Sequence, residues 1–236
     1  MKSAQSKDGR RHFLKTSFAI ASGLTGFTLL PELGSAKSFA GGAFTESAFT
    51  GPFPEGDEMN VIGPKEGYSP QIGTLVSMMT WMRTIMLYSV KGMTTEQLDF
   101  LLDDKANTVG SMLWHLAATD TFYHLHTFQG IEWGKWDASY NKEWELAMEL
   151  GAPARKQIKG NNLDFYLKLL SESREKTLAA FRKRDDAWLM TVDKKWPWGP
   201  TNNYCKWFHV CEHESNHNGQ IKLLKSRMPG VKPGGE

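Results

Sequence analysis

The sequence predicts an all-α protein built around a four-helix bundle. Four segments carry apolar residues at steps of three and four, the period of a helix with one buried face. Capping residues, glycine or proline stand at the ends of these segments. No segment shows the strong alternation of apolar and polar residues that is typical of a half-buried strand. A bundle of four long helices is the simplest architecture that buries four such faces.

The first helix is predicted to begin at Ser69-Pro70, because a capping residue there precedes proline at the first helical position. It should end at Lys91-Gly92. Its inward stripe repeats at steps of three and four and consists of Ile72, Leu75, Met79, Met82 and Met86. Methionines at helical spacing favour core packing over a copper site.

The other long helices are predicted near residues 107–130, 162–184 and 201–227. A short helical turn should open at Thr94. A Trp-rich insertion of about residues 131–160 separates the second and third helices, with a short helix expected at residues 142–150. Residues 196–200, rich in Trp and Pro, are predicted to form a rigid loop before the last helix.

The first forty residues have the layout of an export signal. Arg10-Arg11 precede an apolar stretch at residues 18–30 and then a small-residue region, Gly34-Ser35-Ala36. The arginine pair resembles the twin-arginine export motif, although Gly9 stands where Ser or Thr is usual. The apolar run is short for a membrane span. We expect export to the periplasm or the extracellular space, without a stable membrane span after cleavage; an uncleaved anchor or a disordered tail is the alternative.

The length of 236 residues suits a tail and one domain. We predict a signal peptide at 1–40, a Gly/Pro-rich linker or arm at 41–68, the bundle at 69–230 and a flexible tail at 231–236. The net charge is +2 and the basic residues are scattered, so no nucleic-acid partner is expected. Cys205 and Cys211 are six residues apart on one predicted helix, a rise of about 9 Å that no disulfide spans.

Three histidines are candidates for metal ligands. His213 and His217 are four residues apart, which places them about 6 Å apart along a helix and about 40° apart around it. Two imidazoles so placed can bind one ion, and a third ligand must come from another element. His115 lies on the inner stripe of the second helix. Zinc, nickel and iron all suit imidazole ligands. The alternative is that these histidines are buried or exposed without a metal.

Residues 213–217 also match the H-E-x-x-H pattern of zinc peptidases. Those enzymes take a third ligand from further along the chain, where residues 218–236 hold no His and no Asp and only the terminal Glu236. The peptidase interpretation therefore lacks a ligand. Glu214 is the candidate catalytic residue, as a general base on a metal-bound water, or else a solvated neighbour of the histidines.

Three stretches of the sequence resemble the DinB-like superfamily of metal-binding four-helix bundles. They read Gly-Met-Thr-Thr-Glu-Gln-Leu at residues 92–98, Val-Gly-Ser-Met-Leu-Trp-His-Leu-Ala at 109–117 and His-Val-Cys-Glu-His-Glu-Ser-Asn-His-Asn-Gly-Gln-Ile at 209–221. The likeness covers roughly residues 69–230. It implies that His115, His213 and His217 bind one divalent transition metal. Asn218 stands where the family often has Arg.

The resemblance also implies a function. Members characterised as enzymes are mostly thiol-dependent transferases and isomerases, in which the metal lowers the pKa of a bound thiol. We expect a small-molecule substrate, and the family implies dimerisation through bundle helices. A metal-dependent hydrolase and a non-catalytic metal-binding or structural module remain the alternatives. A fourth protein ligand such as His209 would favour a structural metal.

Overall fold

Four long helices form where the apolar patterns predict them. They span Pro70–Val90, Val109–Gln129, Leu163–Phe181 and Asn203–Arg227, and are named α1, α3, α6 and α8. The computed structural model describes residues 59–137, 140 and 143–230. Within these residues helices dominate, so the predicted all-α class is confirmed. The predicted signal peptide, the C-terminal tail and most of the predicted linker lie outside the described residues.

Side-chain caps explain where three of the long helices begin. Thr108, Asn162 and Asn202 each accept a hydrogen bond from the backbone N–H three residues further along the chain. Such caps satisfy donors that a first helical turn leaves unpaired. Gly130 ends α3 in a left-handed conformation, with φ of +71°.

The start of α1 shows a cap that the sequence did not predict. Ser69 precedes the helix and Pro70 opens it, as expected, but the Ser69 side chain does not cap its own helix. Its hydroxyl donates to the carboxylate of Asp186 at 2.6 Å, and that carboxylate accepts the N–H groups of Gln71 and Ile72. A distant carboxylate therefore stabilises this helix terminus.

The short elements lie between the long helices. α2, Thr95–Leu98, begins with a capping box. The Trp-rich insertion forms two helices rather than one, α4 at Glu143–Glu149 and α5 at Gly151–Gln157. α7, Asp186–Met190, precedes a two-stranded antiparallel ladder of β1, Val192–Asp193, and β2, Thr201–Asn202. This ladder was not predicted, because strands of two residues are too short to show an alternating pattern.

The long helices pack around a core that buries most of the predicted stripes. α3 packs against α6 and α8, α1 packs against α8, and α4 lies on α3. In α1, four of the five stripe residues are fully buried and Met82 is half-buried. The sequence predicts an apolar inner face for α6, but Arg174 and Thr177 are buried there beside Leu170 and Phe181.

Two further features bear on the sequence-based expectations. Within the described residues, no helix combines the length and the apolar character that crossing a membrane requires. Cys205 is exposed and Cys211 is buried, and they form no disulfide with each other, as their spacing predicted.

Candidate metal centre

Two helices bring the three predicted histidines together in the bundle interior. His115 projects from the first half of α3, and His213 and His217 project from one face of α8. The Nε2 atom of His213 lies 2.7 Å from Nε2 of His115 and 3.2 Å from Nε2 of His217. Within the described residues this histidine triad is the one His, Cys, Asp or Glu group that could hold a metal ion.

The spacing of the three nitrogens suits one ion. Metal–nitrogen bonds of about 2.0–2.1 Å in a tetrahedral site separate the ligand nitrogens by about 3.3 Å. The His213–His217 separation of 3.2 Å is close to that value, the His213–His115 separation of 2.7 Å is about 0.6 Å shorter, and all three ligand atoms lie within 4.8 Å of one another. Small side-chain movements would bring them to a common ion, and three protein ligands leave a coordination position open.

A backbone carbonyl sets the tautomer of His115. Nδ1 of His115 lies 3.0 Å from the carbonyl oxygen of Ala147, which only accepts hydrogen bonds. Nδ1 therefore carries the proton, and Nε2 presents its lone pair to the other two histidines. Ala147 belongs to α4, so the Trp-rich insertion orients a candidate ligand from outside the bundle, as outer partners of metal-bound histidines commonly do.

Burial keeps the triad neutral. His115 and His217 are buried and His213 is half-buried. Burial, with the neighbouring His217, lowers the pKa of His115 to about 3. Burial lowers the pKa of His217 to about 4, and burial with the adjacent histidines lowers the pKa of His213 well below its usual value. Neutral imidazoles are the form that binds a metal.

Aromatic side chains flank the more open ligand. The His209 ring lies 5.3 Å from the ring of His213, and Trp198 packs edge-on against His209 at 4.8 Å. Nδ1 of His209 contacts the Glu212 carboxylate at 3.1 Å, and His209 is not in the group whose atoms converge. His209 and Trp198 therefore border the triad on the side where His213 reaches the surface.

Glu214, the predicted base, lies in a different buried group. Oε1 of Glu214 accepts hydrogen bonds from Nε of Arg83 at 2.9 Å and from Nη2 of Arg174 at 2.6 Å. Arg174 also donates to Asp120 at 2.7 Å, and Thr177 donates to the second oxygen of Asp120 at 2.7 Å. We call Arg83, Asp120, Arg174 and Glu214 the ion cluster.

The ion cluster is buried and electrically balanced. The Asp120 and Glu214 side chains are at most 1% exposed, and each arginine side chain is 9% exposed. Burial acts against ionisation of Asp120, but Arg174, Arg83 and Thr177 outweigh it and hold the pKa of Asp120 below its ordinary value. Two positive and two negative groups neutralise one another, which is what makes their burial tolerable.

Sequence reasoning missed the ion cluster and Ala147. The cluster had a signal in the sequence: Arg83 lies four residues after Met79 and three before Met86, on the predicted inward stripe, and Arg174 follows Leu170 by four. A charged residue at a stripe position requires a buried partner of opposite charge. Ala147 had no such signal. Its contact is made by a backbone carbonyl, which every residue carries, so the sequence cannot distinguish it.

Comparison with known proteins identifies a family to which the sequence matches and a solved structure that shares the fold. A family model described as mycothiol-S-transferase matches residues 74–230, well over half of the chain. No curated protein matches the chain. The crystal structure of a conserved protein from Enterococcus faecalis superposes with a TM-score of 0.51 at 13% identity, covering 66% of this chain and 96% of that one. At this identity the likeness concerns the fold alone.

Proposed function

This chain belongs to the mycothiol-S-transferase family, a DinB-like family, and from that premise we propose that it is a metal-dependent thiol transferase. In this proposal His115, His213 and His217 bind one divalent transition metal ion. A low-molecular-weight thiol gives up its proton to solvent, and its sulfur forms a carbon–sulfur bond to a small electrophile, whose bond to a leaving group such as halide breaks. Zinc, nickel and iron remain equally suited to three imidazoles.

One observation carries the proposal: three buried imidazole nitrogens face one another. Nε2 of His115 carries an unprotonated lone pair, because Nδ1 of the same ring holds the proton and donates it to the carbonyl oxygen of Ala147. Nε2 of His213 has short contacts to Nε2 of His115 and to Nε2 of His217. If His213 is protonated on Nε2, its single proton must be shared between these two contacts, which makes both hydrogen bonds weak. A cation accepts all three lone pairs at once. Burying three imidazoles without such a partner costs free energy, so the arrangement fits a metal.

The residues of the chain have separate tasks in the proposed reaction. A bound divalent metal supplies Lewis acidity that lowers the pKa of a thiol at the open position. Ala147 holds the His115 ring in the orientation that presents Nε2. The half-buried His213, bordered by His209 and Trp198, marks the side from which a thiol and an acceptor can approach.

The contacts of Glu214 favour thiol transfer over hydrolysis. A hydrolase or an H-E-x-x-H peptidase needs a base beside the metal-bound water. Oε1 of Glu214 accepts hydrogen bonds from two arginines in the ion cluster, which hold the carboxylate there, while Oε2 is buried and has no hydrogen-bond partner among the described residues. The base role of Glu214 stays a prediction. A thiol activated by the metal requires no such base, and this supports the transferase.

We also propose that the protein is exported. This rests on the sequence pattern of residues 1–40, with its arginine pair at Arg10-Arg11. Mass spectrometry of the protein recovered from the periplasm of an expressing bacterium would identify the mature N-terminus. A protein that keeps Met1 and stays in the cytoplasm would overturn the export proposal without touching the metal site.

The metal site is tested by elemental analysis of untagged protein. We expect about one equivalent of transition metal in the wild type and little in His213→Ala/His217→Ala, because one remaining imidazole cannot retain the ion. His124→Ala is the matched control, since it removes a half-buried histidine of α3 outside the triad. Equal metal in all three proteins, or none in the wild type, would overturn the site.

The transferase is tested with the cobalt-substituted protein. Adding mycothiol or N-acetylcysteine should produce a sulfur-to-cobalt charge-transfer band, and 1-chloro-2,4-dinitrobenzene should then be consumed. Both signals should vanish in His213→Ala/His217→Ala. A wild type that binds cobalt but gives no band and no turnover with a panel of thiols would instead indicate the non-catalytic metal-binding module.

A further inference from the structure

The ion cluster joins all four long helices. Arg83 comes from α1, Asp120 from α3, Arg174 from α6 and Glu214 from α8. Arg174 contacts both carboxylates, and Arg83 lies 3.6 Å from Asp120 while it donates to Glu214. Each guanidinium also donates to a backbone carbonyl, Arg83 to Leu170 and Arg174 to Met79. The cluster therefore connects the four helices through hydrogen bonds and ion pairs.

Glu214 and the triad histidines occupy different faces of α8. On an α-helix Glu214 lies about 100° from His213 and about 60° from His217. One face of α8 is therefore held against α1 and α6 by the two arginines, and the other directs His213 and His217 toward His115. Because both faces belong to one rigid helix, the ion pairs set the direction of the imidazoles.

Metal–ligand distances are so narrowly defined that a small rotation of α8 would affect metal binding. Atoms at the periphery of a helix are about 5–6 Å from its axis, so a rotation of about 10° moves them by about 1 Å. Metal–ligand distances tolerate about 0.2 Å. A small rotation of α8 would therefore pull His213 and His217 away from an ion held by His115.

The same cluster also holds the helix that carries the third ligand. Asp120 follows His115 by five residues in α3, about 7.5 Å along the helix. Its two oxygens accept from Arg174 and Thr177, both on α6. Arg174 thus connects the His115 helix to the helix of the other two ligands.

We propose that Glu214 is a positioning residue, which through Arg83 and Arg174 sets the rotation of α8 and so the convergence of the histidine triad. This inference rests on the proposed metal site and gives the central Glu of the H-E-x-x-H pattern a role other than that of a base. A base would act on the reacting atoms, whereas a positioning residue acts through the geometry of the ligands.

The two roles respond differently to charge compensation. Glu214→Gln removes one negative charge and leaves the cluster with a net positive charge. Adding Arg83→Met restores the balance, with Asp120 and Arg174 as the remaining pair. If Glu214 positions the ligands, the second substitution should recover metal binding, because the cluster is neutral again and Arg174 can still donate to the amide oxygen at position 214. If Glu214 is a base, removing Arg83 cannot replace the lost proton acceptor.

The experiment is a cobalt titration of four proteins, with the visible d–d spectrum, the affinity and the turnover as readouts. The proteins are the wild type, Glu214→Gln, Arg83→Met/Glu214→Gln and the control Glu172→Gln, which neutralises an exposed carboxylate on α6. We expect Glu214→Gln to shift the d–d bands and weaken cobalt binding about 10- to 100-fold. The double variant should recover most of the cobalt affinity and most of the wild-type d–d spectrum. The control should match the wild type in both.

The contrary results are distinct. A wild-type spectrum and affinity in Glu214→Gln, with turnover lost there and in the double variant, would overturn the inference and identify a base. If Glu214→Gln does not fold, the double variant decides alone: a wild-type spectrum with turnover supports positioning, and one without turnover overturns it. A wild type that binds no cobalt overturns the metal site itself, and this inference with it.

Discussion

The histidine triad and the ion cluster meet on α8, where His213 and Glu214 are adjacent residues. The two groups satisfy their buried polar atoms in opposite ways. In the ion cluster, donors meet acceptors and two positive groups meet two negative groups. In the triad, three neutral imidazoles direct Nε2 atoms at one another. The charges of the first group balance within the protein, although Oε2 of Glu214 has no hydrogen-bond partner among the described residues. The second group becomes complete by binding a cation.

This difference separates stability from function within one core. A balanced ion cluster holds helices together, and its charges are already paired within the protein, so it does not attract a charged ligand. A group of lone pairs without a donor costs free energy in the empty protein and returns it on binding. We therefore expect substitutions in the ion cluster to change the free energy of unfolding, and substitutions in the triad to change metal affinity.

The largest expected effect is on stability, from Arg174→Met. This change leaves Asp120 and Glu214 with one guanidinium between them, and breaking a buried pair typically costs about 3–5 kcal/mol. Urea unfolding of metal-free protein, followed by circular dichroism, measures it. Lys168→Met on the same helix removes an exposed cation and should change stability by less than about 0.5 kcal/mol. A cost for Arg174→Met as small as that of the control would show that the cluster does not hold the helices.

The next effect is on affinity, from His115→Phe. The phenyl ring keeps an apolar side chain of similar size but removes one of three ligands, so cobalt or zinc affinity should fall about 100-fold or more. The metal-free variant should lose no more than about 1–3 kcal/mol of stability, since the Ala147 carbonyl loses its donor but a buried polar ring is also removed. Calorimetric titration and urea unfolding give the two values. A large loss of stability without metal would contradict the contrast drawn above.

The pH dependence of metal-free protein should distinguish the two groups. His115 and His217 have folded pKa values of about 3 and about 4, below the unfolded value of about 6.5, because burial disfavours the charged ring. Between these values the unfolded chain binds more protons, so stability falls as pH decreases from about 6.5 toward 4, by up to about 1.4 kcal/mol per pH unit for each histidine.

Asp120 should act in a lower pH window. Its folded pKa lies below the ordinary value of 3.8, so the stability that it contributes is present above about pH 4 and lost only on further acidification. Urea midpoints at pH 7.5, 6.5, 5.5 and 5.0 test the upper window. His115→Phe should flatten the slope there by one group. An identical slope in wild type and variant would mean that His115 is not buried as a neutral ring.

The helices were predictable because their signals are local. The pattern of Ile72, Leu75, Met79 and Met86 indicates one buried face, and Thr108, Asn162 and Asn202 are caps that act within three residues. The His213/His217 pair was visible for the same reason, since one helical turn separates the two. The export signal and the domain boundaries stay predictions.

The remaining features depend on contacts that local patterns do not contain. Asp186 caps α1 and Ala147 orients His115 across long stretches of chain. The arginines of the ion cluster lie on apolar stripes of the sequence, but only the packing reveals that the cluster draws one residue from each of four helices. The ladder of β1 and β2 is made of strands too short for any period to appear.

A third polar group, at the β1 end of the bundle, should show the smallest effect. Nζ of Lys206 lies 2.9 Å from both Asp193 and Nε2 of His126, and 4.5 Å from the centre of the Trp196 ring. Nδ1 of His126 donates to the carbonyl of Ile131, so Nε2 accepts from Lys206. The Lys206 side chain is 2% exposed, but that of Asp193 is 28% exposed, so water can replace the lost cation.

We therefore expect Lys206→Met to cost no more than about 1.5 kcal/mol, close to the value of one hydrogen bond to a charged group. Asp193 keeps the N–H of Lys195 as a donor, and methionine fills most of the volume of the lysine chain. Lys206 precedes His213 by seven residues, about 10 Å along α8, so cobalt affinity should not change. Urea unfolding and a cobalt titration of the same preparation measure both. Weaker cobalt binding would show that α8 transmits strain from this end to the triad, and that rotation of this helix is set at both ends rather than by the ion cluster alone.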